Sequence, residues 1–515
     1  MINRDQLALY LKHFEEENAD QITGFEIWGL NIWPFIKTHI YFSVINRVNA
    51  PESINSEKET TVARSAQAIS KLKPVLSLFS KTASLGLKLA MLKLKRISGK
   101  KPVLFYTNSV DKLTRENGRF INNLVDGFIL SKVVKNYLYI EKSVDNDHKE
   151  PYTISIDLKT SDFAGAFSWF RSRYANDSQI EELSKKIATA IAAFCKKQSI
   201  ASWAKEEELK AMIVDFVVEY KALKIVLRAI SPSVLISSEQ PGMPILAAAN
   251  EMKIPSVDLQ HGIINGIHPQ YIYFKGLEKL KSKMAMPSVL ALFGELHEKV
   301  LLENGFWSKG EVTSIGSRRI DNNRSNYKKK ADKWSNQNKT ILVPTQWTMF
   351  NDTLRLLEYL PAIVNEGTRI LLKVHPLEPQ KNIDAYTAIG KKYPGRIEIV
   401  GKETDINALI VDSFIVIGFD SAVLLETVAL NVPCITLTTT EFPNGIHGLV
   451  KDSRLLTAIL PIGLDDVETL KSTLANSYGD SAYYQNWEQQ TNNVSNYLYT
   501  NDYPGKCAAL VARFN

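Results

Sequence analysis

The chain has 515 residues and a mass of 58.0 kDa, with 45% hydrophobic, 10% aromatic and 23% charged residues. At roughly 100 to 200 residues per domain this is material for two or three domains with real cores, and the composition excludes global disorder and collagen-like repeats. No internal repeat is present, which excludes a solenoid, and the three scattered cysteines Cys195, Cys434 and Cys507 exclude a disulfide framework or a CxxC metal cluster. A reducing cytosol is the expected compartment. The N-terminal MINRDQLALYLKHFEEE carries three consecutive glutamates where a signal peptide needs an apolar core, and no stretch of about 18 uncharged apolar residues occurs, so neither secretion nor a membrane span is expected.

The net charge of +7 is concentrated, because no acidic residue lies between Glu59 and Asp111 while ten basic ones do. Without that stretch 52 basic residues face 55 acidic ones, a balance of −3. Within it VLSLFSKTASLGLKLAMLKLKRI (75–97) interleaves apolar residues with lysine, and a helix of that pattern has one apolar and one cationic side. Residues 61–101 therefore suit an anionic membrane surface; the alternative is a solvated helix packed by its leucines. One aromatic, Phe79, and no recognisable binding module argue against nucleic acid.

In chain order, the first 50 residues look helical and aromatic, with Trp28, Trp33, Phe35 and Tyr41 in GFEIWGLNIWPFIKTHIYF, and 51–70 is a polar linker. PVLFYT (102–107) and YTISIDL (152–158) read as strands and 178–230 as long amphipathic helices. A βαβ unit follows: SVLISSE (233–239), a helix over MPILAAANEM, and PSVDLQHG (255–262). A second series runs from SVLALFG (288–294) through EVTSIGS, TILVPTQ (340–346), TRILLKVHP (368–376), GRIEIVG and SFIVIGF (413–419) to VPCITLT (432–438), with helices between, then helices near 465–478 and 481–500. The expected architecture is α/β, two doubly wound Rossmann-like domains in tandem behind a helical extension. The boundaries are 1–100 for the extension, 101–283 and 284–480 for the two domains, and 481–515 for a C-terminal helical segment.

Ligands of such folds bind at the carboxyl ends of the parallel strands. His261 and Gly262 leave the strand SVDLQ, with His268 following; an imidazole at that exit faces the cleft or caps a turn. Lys373 and His375 share one side of TRILLKV by period two, placed to meet a phosphate. Gly418 ends SFIVIGF, Ser421 opens the next helix where backbone N–H groups favour an anion, and Glu426 is placed to accept from a ribose diol. Asp420 reads as the N-cap. Gly316 and Ser317 after EVTSI, and Thr345 and Gln346 after ILVP, are weaker candidates that serve equally as turn residues.

LQHG, KVHP and Gly418-x-x-Ser421-x-x-x-x-Glu426 followed by NVPCI, in this order at strand exits, resemble the GT-B glycosyltransferases of bacterial capsule and lipopolysaccharide synthesis. They are also similar to the related CDP-glycerol glycerophosphotransferases of teichoic acid synthesis. The likeness covers roughly 230–440. It implies a nucleotide-sugar donor in the C-terminal domain and a glycan or lipid-linked acceptor in the N-terminal one. By that carry-over Lys373 and His375 contact the donor phosphate, Ser421 the phosphate or ribose, Glu426 the ribose, and His261 the reacting centre. Gln260 departs from the tryptophan that precedes His-Gly in the teichoic acid enzymes, which argues against glycerol phosphate transfer.

Glycosyl transfer needs a base for the acceptor hydroxyl and donors for the leaving phosphate. His261 and Glu239, at the exit of LISSE, are the two candidate bases. Lys373, His375 and the helix N-terminus serve the phosphate without a metal, and no cofactor is expected beyond the nucleotide-sugar substrate, of unknown base. The DxD triplet Asp145-Asn146-Asp147 reads as a turn. HExxH, P-loop and GxGxxG motifs are absent. A nucleotide-sugar epimerase or a polyol-phosphate transferase on the same fold is the alternative. The expected location is cytoplasmic, peripheral at the inner face of the membrane.

Overall fold

A computed structural model describes residues 4–49, 86, 88–90, 101–109, 114–116, 119–142, 157–329, 339–376, 378–440, 449 and 454–514. Of the basic segment only 86, 88–90 and 101 are among them, so its expected helix lies largely outside the described residues, as does Asp145-Asn146-Asp147.

The chain divides into two compact units. The first comprises Met1–Ala291, Lys299–Thr313 and Cys507–Asn515; the second comprises Leu292–Glu298 and Ser314–Lys506. The first opens with the helix Arg4–Glu17, a hairpin of β1 (Glu26–Ile27) and β2 (Leu30–Asn31), and the helix Trp33–Asn49. Its sheet is built from β3 (Val103–Asn108), β6 (Tyr137–Lys142), β7 (Leu158–Lys159), β8 (Val234–Ser237), β9 (Ser256–Leu259), β10 (Val289–Leu292) and β11 (Val312–Ser314). A small hairpin, β4 (Thr114–Glu116) with β5 (Arg119–Ile121), stands apart. The sheet order is β11-β10-β9-β8-β3-β6-β7, and the pairs β3–β6, β3–β8, β6–β7, β8–β9 and β9–β10 run parallel. Both faces are covered, so VLIS and SVDL are buried at every position, the polar Ser237, Ser256 and Asp258 included.

The second unit carries β12 (Thr340–Pro344), β13 (Arg369–Lys373), β14 (Ile397–Val400), β15 (Ile415–Gly418), β16 (Cys434–Thr438) and β17 (Ile459–Gly463) in the order β14-β13-β12-β15-β16-β17, parallel throughout. Its core joins Ile341, Val343, Ile370, Leu372, Ile415 and Ile417 from the strands to Leu357, Leu360 and Trp487 from the helices. Two doubly wound parallel α/β sheets are therefore the fold.

The expected boundaries move in three places. Strands β10 and β11, read from sequence as the start of the second domain at 284, complete the first sheet, because their pairing edge is β9. The helix Ser481–Leu498 belongs to the second unit, burying Trp487, Val494 and Leu498, while Cys507–Asn515 falls in the first. The N-terminal helices are part of the first unit as well: Leu7, Leu11, Phe14, Trp33 and Ile36 are fully buried.

A buried ion pair fixes that packing. Lys37 Nζ donates to Glu15 Oε1 at 2.8 Å and to the Ile272 carbonyl at 2.7 Å, while Trp33 Nε1 donates to Glu15 Oε1 at 2.8 Å and the Phe274 N–H to Glu15 Oε2 at 2.9 Å. Burial pushes the Lys37 ammonium below its ordinary pKa against the pull of Glu15. Removing one partner strands the other charge without water. Glu15→Ala should therefore cost about 3–5 kcal/mol, whereas Glu15→Leu combined with Lys37→Met should cost much less; denaturant unfolding of the three proteins measures the difference.

Candidate functional site

In each sheet the strand that comes first in sequence lies inside, with later strands on one side and then on the other. The order reverses between β12 and β15 in the second unit and between β3 and β8 in the first. At such a point the flanking connections leave in opposite directions and open a crevice at the strands' carboxyl ends.

In the second unit the exits of β12, β13 and β15 meet there. Thr345 Oγ1 accepts the His375 N–H at 2.9 Å and donates to Glu378 Oε2 at 2.8 Å, and Gln346 Nε2 donates to the Asp420 carbonyl. Gln346 Oε1 is buried with no hydrogen-bond partner. His375 is half-buried, and desolvation lowers its pKa, with Glu378 opposing and Lys373 and Lys402 reinforcing the shift. At neutral pH it is an uncharged imidazole that can serve a phosphate by hydrogen bonding rather than by charge.

Several residues chosen from sequence have other work. Lys373 Nζ donates to the carbonyls of Val374 at 2.9 Å and Lys402 at 3.1 Å, which spends two of its three protons on backbone, and burial lowers its pKa. Ser421, not Asp420, is the N-cap of the helix Ala422–Ala429, its Oγ accepting from Val423 N at 3.3 Å; Asp420 is buried beside it. Glu426 is not an open ribose acceptor: it is buried and ion-paired with Arg319. With the Asn407 amide oriented to satisfy both its atoms, Asn407 donates to Glu426 Oε2 and accepts from Arg319 Nε, each at 2.9 Å. Burial raises the Glu426 pKa while Arg319 pulls it down. A carboxylate taken from water needs such a partner, and the adjacent arginines of GSRR are the sequence signal for it.

Gly316 serves packing. Its φ is +82°, and a Cβ there would lie 2.1 Å from the Thr500 carbonyl oxygen. The Ser317 carbonyl accepts from Asp321 N at 3.0 Å, opening the helix Arg318–Lys329. Gly418 is a buried strand residue whose Cβ would press on Leu424 and Pro344 at 3.3 and 3.4 Å.

In the first unit Gln240, next to Glu239 at the exit of β8, brings its Nε2 within 2.6 Å of His261 Nε2, and Gln270 Nε2 donates to Gln240 Oε1. His261 Nδ1 is buried without a partner, so neither ring nitrogen is open to a second group. Glu239 is 8% exposed and lies 3.7 Å from Lys142 Nζ, which also holds Glu219 at 3.1 Å; Tyr106 donates its hydroxyl to Glu219 at 3.0 Å. His39 faces this group, and burial, then Lys142, hold its pKa at about 4 against the opposing pull of Glu219.

Sequence reasoning missed that cluster because Lys142 ends β6, whose YLYIEK run it did not read as a strand. It also missed Glu378, which is 1% exposed and accepts from Asn382 Nδ2 at 2.7 Å; the available signal was a carboxylate three residues beyond the KVHP histidine. A third omission is a cleft of about 360 Å³ in the second unit at the exits of β12, β16 and β17, lined by Trp347, Phe350, Arg355, Thr439, Thr440 and Asp465.

No protein-family model matches the chain, and no curated protein matches it in sequence. Solved structures match at low identity. One, from Listeria monocytogenes and assigned as a UDP-N-acetylglucosamine 2-epimerase, is 14% identical over 80% of this chain and 95% of that chain, with a TM-score of 0.49. A glycosyltransferase from Rickettsia africae ESF-5 is 14% identical over 81% and 99%, at 0.46. A Neisseria meningitidis UDP-GlcNAc 2-epimerase bound to UDP-GlcNAc is 13% identical over 81% and 99%, at 0.46.

Arg319→Met, which leaves the buried Glu426 carboxylate without its counter-charge, should cost about 3 kcal/mol in denaturant unfolding, and Arg319→Met with Glu426→Leu should recover most of it. His39 titrates near 6.5 unfolded and near 4 folded. As the pH falls through that window the unfolded chain takes up a proton that the folded one refuses, so unfolding free energy should fall there. His39→Gln should flatten that limb of the stability-against-pH curve.

Proposed function

We propose that this chain is a metal-independent glycosyltransferase that moves a sugar from a nucleotide-activated donor to a growing surface polysaccharide or lipid-linked glycan. The observation that carries the reading is the gathering of Thr345, Gln346, His375 and the Asp420–Ser421 turn at the reversal point of the second sheet, beside a 360 Å³ cleft with two aromatic residues on its wall. The crevice at such a reversal point is where doubly wound folds take their ligands. Donor phosphate would meet the His375 imidazole and the backbone N–H groups at the start of Ala422–Ala429, and the unpartnered Gln346 Oε1 would accept from a sugar or base donor.

In the transfer, a base takes the proton of the acceptor hydroxyl, whose oxygen bonds to the anomeric carbon. The bond from that carbon to the phosphate oxygen breaks, and the nucleotide leaves with the electron pair. His261 and Glu239 are the bases of this proposal. For His261 to act, its Nε2 must leave Gln240, so Gln240→Ala should free it, whereas Glu239 would act from its place 3.7 Å from Lys142 Nζ. The 61–101 segment, rich in lysine, would keep the enzyme at the inner face of the membrane.

The test is a thermal-shift and hydrolysis screen against CMP-, UDP-, GDP-, dTDP- and CDP-linked sugars. One nucleotide should stabilise the protein, and His375→Ala should weaken its binding by about tenfold, the loss of one hydrogen bond to a charged group. Turnover that requires an acceptor supports the transferase. Conversion of the donor sugar with no acceptor would replace it with the epimerase reading, and no response to any donor would end both.

A further inference from the structure

One face of the first unit is both aromatic and cationic. Trp28, at the tip of the β1–β2 hairpin, is 39% exposed and Trp169, in the helix Ala164–Tyr174, is 55% exposed. Exposed indoles in number are uncommon on a monomer's surface and mark interaction sites. They belong to one patch: Trp28 packs on Tyr174 at 5.1 Å between ring centroids, and the Arg173 guanidinium bridges the Tyr174 and Trp169 rings. Ile225, four residues beyond Lys221 on the helix Glu206–Ile230, is 45% exposed.

Cations are interleaved with these rings. Lys221 Nζ lies 4.1 Å from the Trp28 ring centroid, and the Arg173 guanidinium lies 6.0 Å from both Trp169 and Tyr174. Neighbouring carboxylates are already committed: Asp215 to Arg171, Glu251 to Lys224, Glu26 to Lys283. Neither Arg173 nor Lys221 has a carboxylate partner among the described residues. Burial lowers the Lys221 pKa, and the like charges of Lys224 and Arg173 add to that shift while Glu251 opposes it.

The neighbourhood adds to it. Lys88, one of the ten basic residues of the acid-free stretch, donates to Asp162 at 2.8 Å, two residues before the helix that carries Trp169 and Arg173. A sugar stacking on these indoles would compete with the cations that sit over them. Indoles flanked by lysine and arginine are instead the combination that settles at a bilayer's headgroup level, ring in the interface and charge on phosphate.

We propose that Trp28, Trp169, Tyr174, Arg173 and Lys221 form a docking surface for an anionic lipid bilayer. The surface shares only its partner with the transferase reading, and its test needs no nucleotide. The full chain is sedimented with vesicles of phosphatidylcholine alone, or of equal parts phosphatidylcholine and phosphatidylglycerol. Binding to the mixed vesicles is expected, with Arg173→Glu/Lys221→Glu weakening it by about tenfold or more and Trp28→Ala/Trp169→Ala weakening it at unchanged charge. Thermal melts check that each variant is folded, and donor-induced stabilisation, measured on the same samples, should be unaltered.

Retention of full vesicle binding by both variants would overturn the proposal and leave the basic segment alone as the anchor. So would binding that ignores phosphatidylglycerol, or binding to soluble heparin but to no vesicle, which would make the patch a site for an anionic polymer. Loss of donor binding with vesicle binding intact would strike the transferase reading and leave this one standing.

Discussion

Parallel strands cannot be joined by a tight turn; each connection must cross a face of the sheet, and it crosses with one hand. Both units obey that constraint in the same way. The chain lays down β3 or β12, adds strands to one side, then returns to the other side of the first strand. Two results follow from the one rule. Helices cover both faces, so the central strands are buried along most of their length; and the crossovers part at a single place, so polar side chains at the carboxyl ends find room there.

Polar groups that folding takes out of water are matched in small closed sets. Glu15 is satisfied by Lys37, Trp33 and the Phe274 N–H; Glu426 by Arg319 and Asn407; Glu378 by Thr345, Asn382 and the more distant Tyr386 hydroxyl at 3.4 Å. Each set joins segments far apart in sequence, and each would lose more by the removal of one member than by the removal of all. Gln346 Oε1 and His261 Nδ1, each at a strand exit, are among the buried side-chain atoms that such sets leave without a hydrogen-bond partner.

The fold was legible because burial on two faces leaves a simple mark: VLISS, TILVP, RILLK, FIVIG and CITLT each hold three or more consecutive or near-consecutive apolar residues, at strand length and with helices between. Where the mark was mixed, it was missed. YLYIEK alternates in polarity and ends in charge, and ILPIG contains a proline, yet both are strands of the sheets. The gathering of Thr345, Gln346, His375 and Ser421 at one place was readable from their common position after strands. Their hydrogen bonds were not, since whether Glu426 meets a ligand or Arg319 depends on which residue lies across from it in space. The same limit hid the Glu15–Lys37 pair, whose backbone partners lie some 235 to 259 positions away in sequence.

The first unit is not one continuous stretch of chain. It needs Lys299–Thr313 to finish its sheet with β11, and Cys507–Asn515, where Cys507, Leu510 and Val511 are buried, to complete its packing. On the ribosome, where residues emerge in order, that unit cannot close before nearly the whole polypeptide has been made. Between Thr313 and Cys507 synthesis must therefore carry that unfinished surface through roughly two hundred residues of elongation. A chaperone that shields early intermediates would find its longest-lived client in the part of the molecule that is translated first.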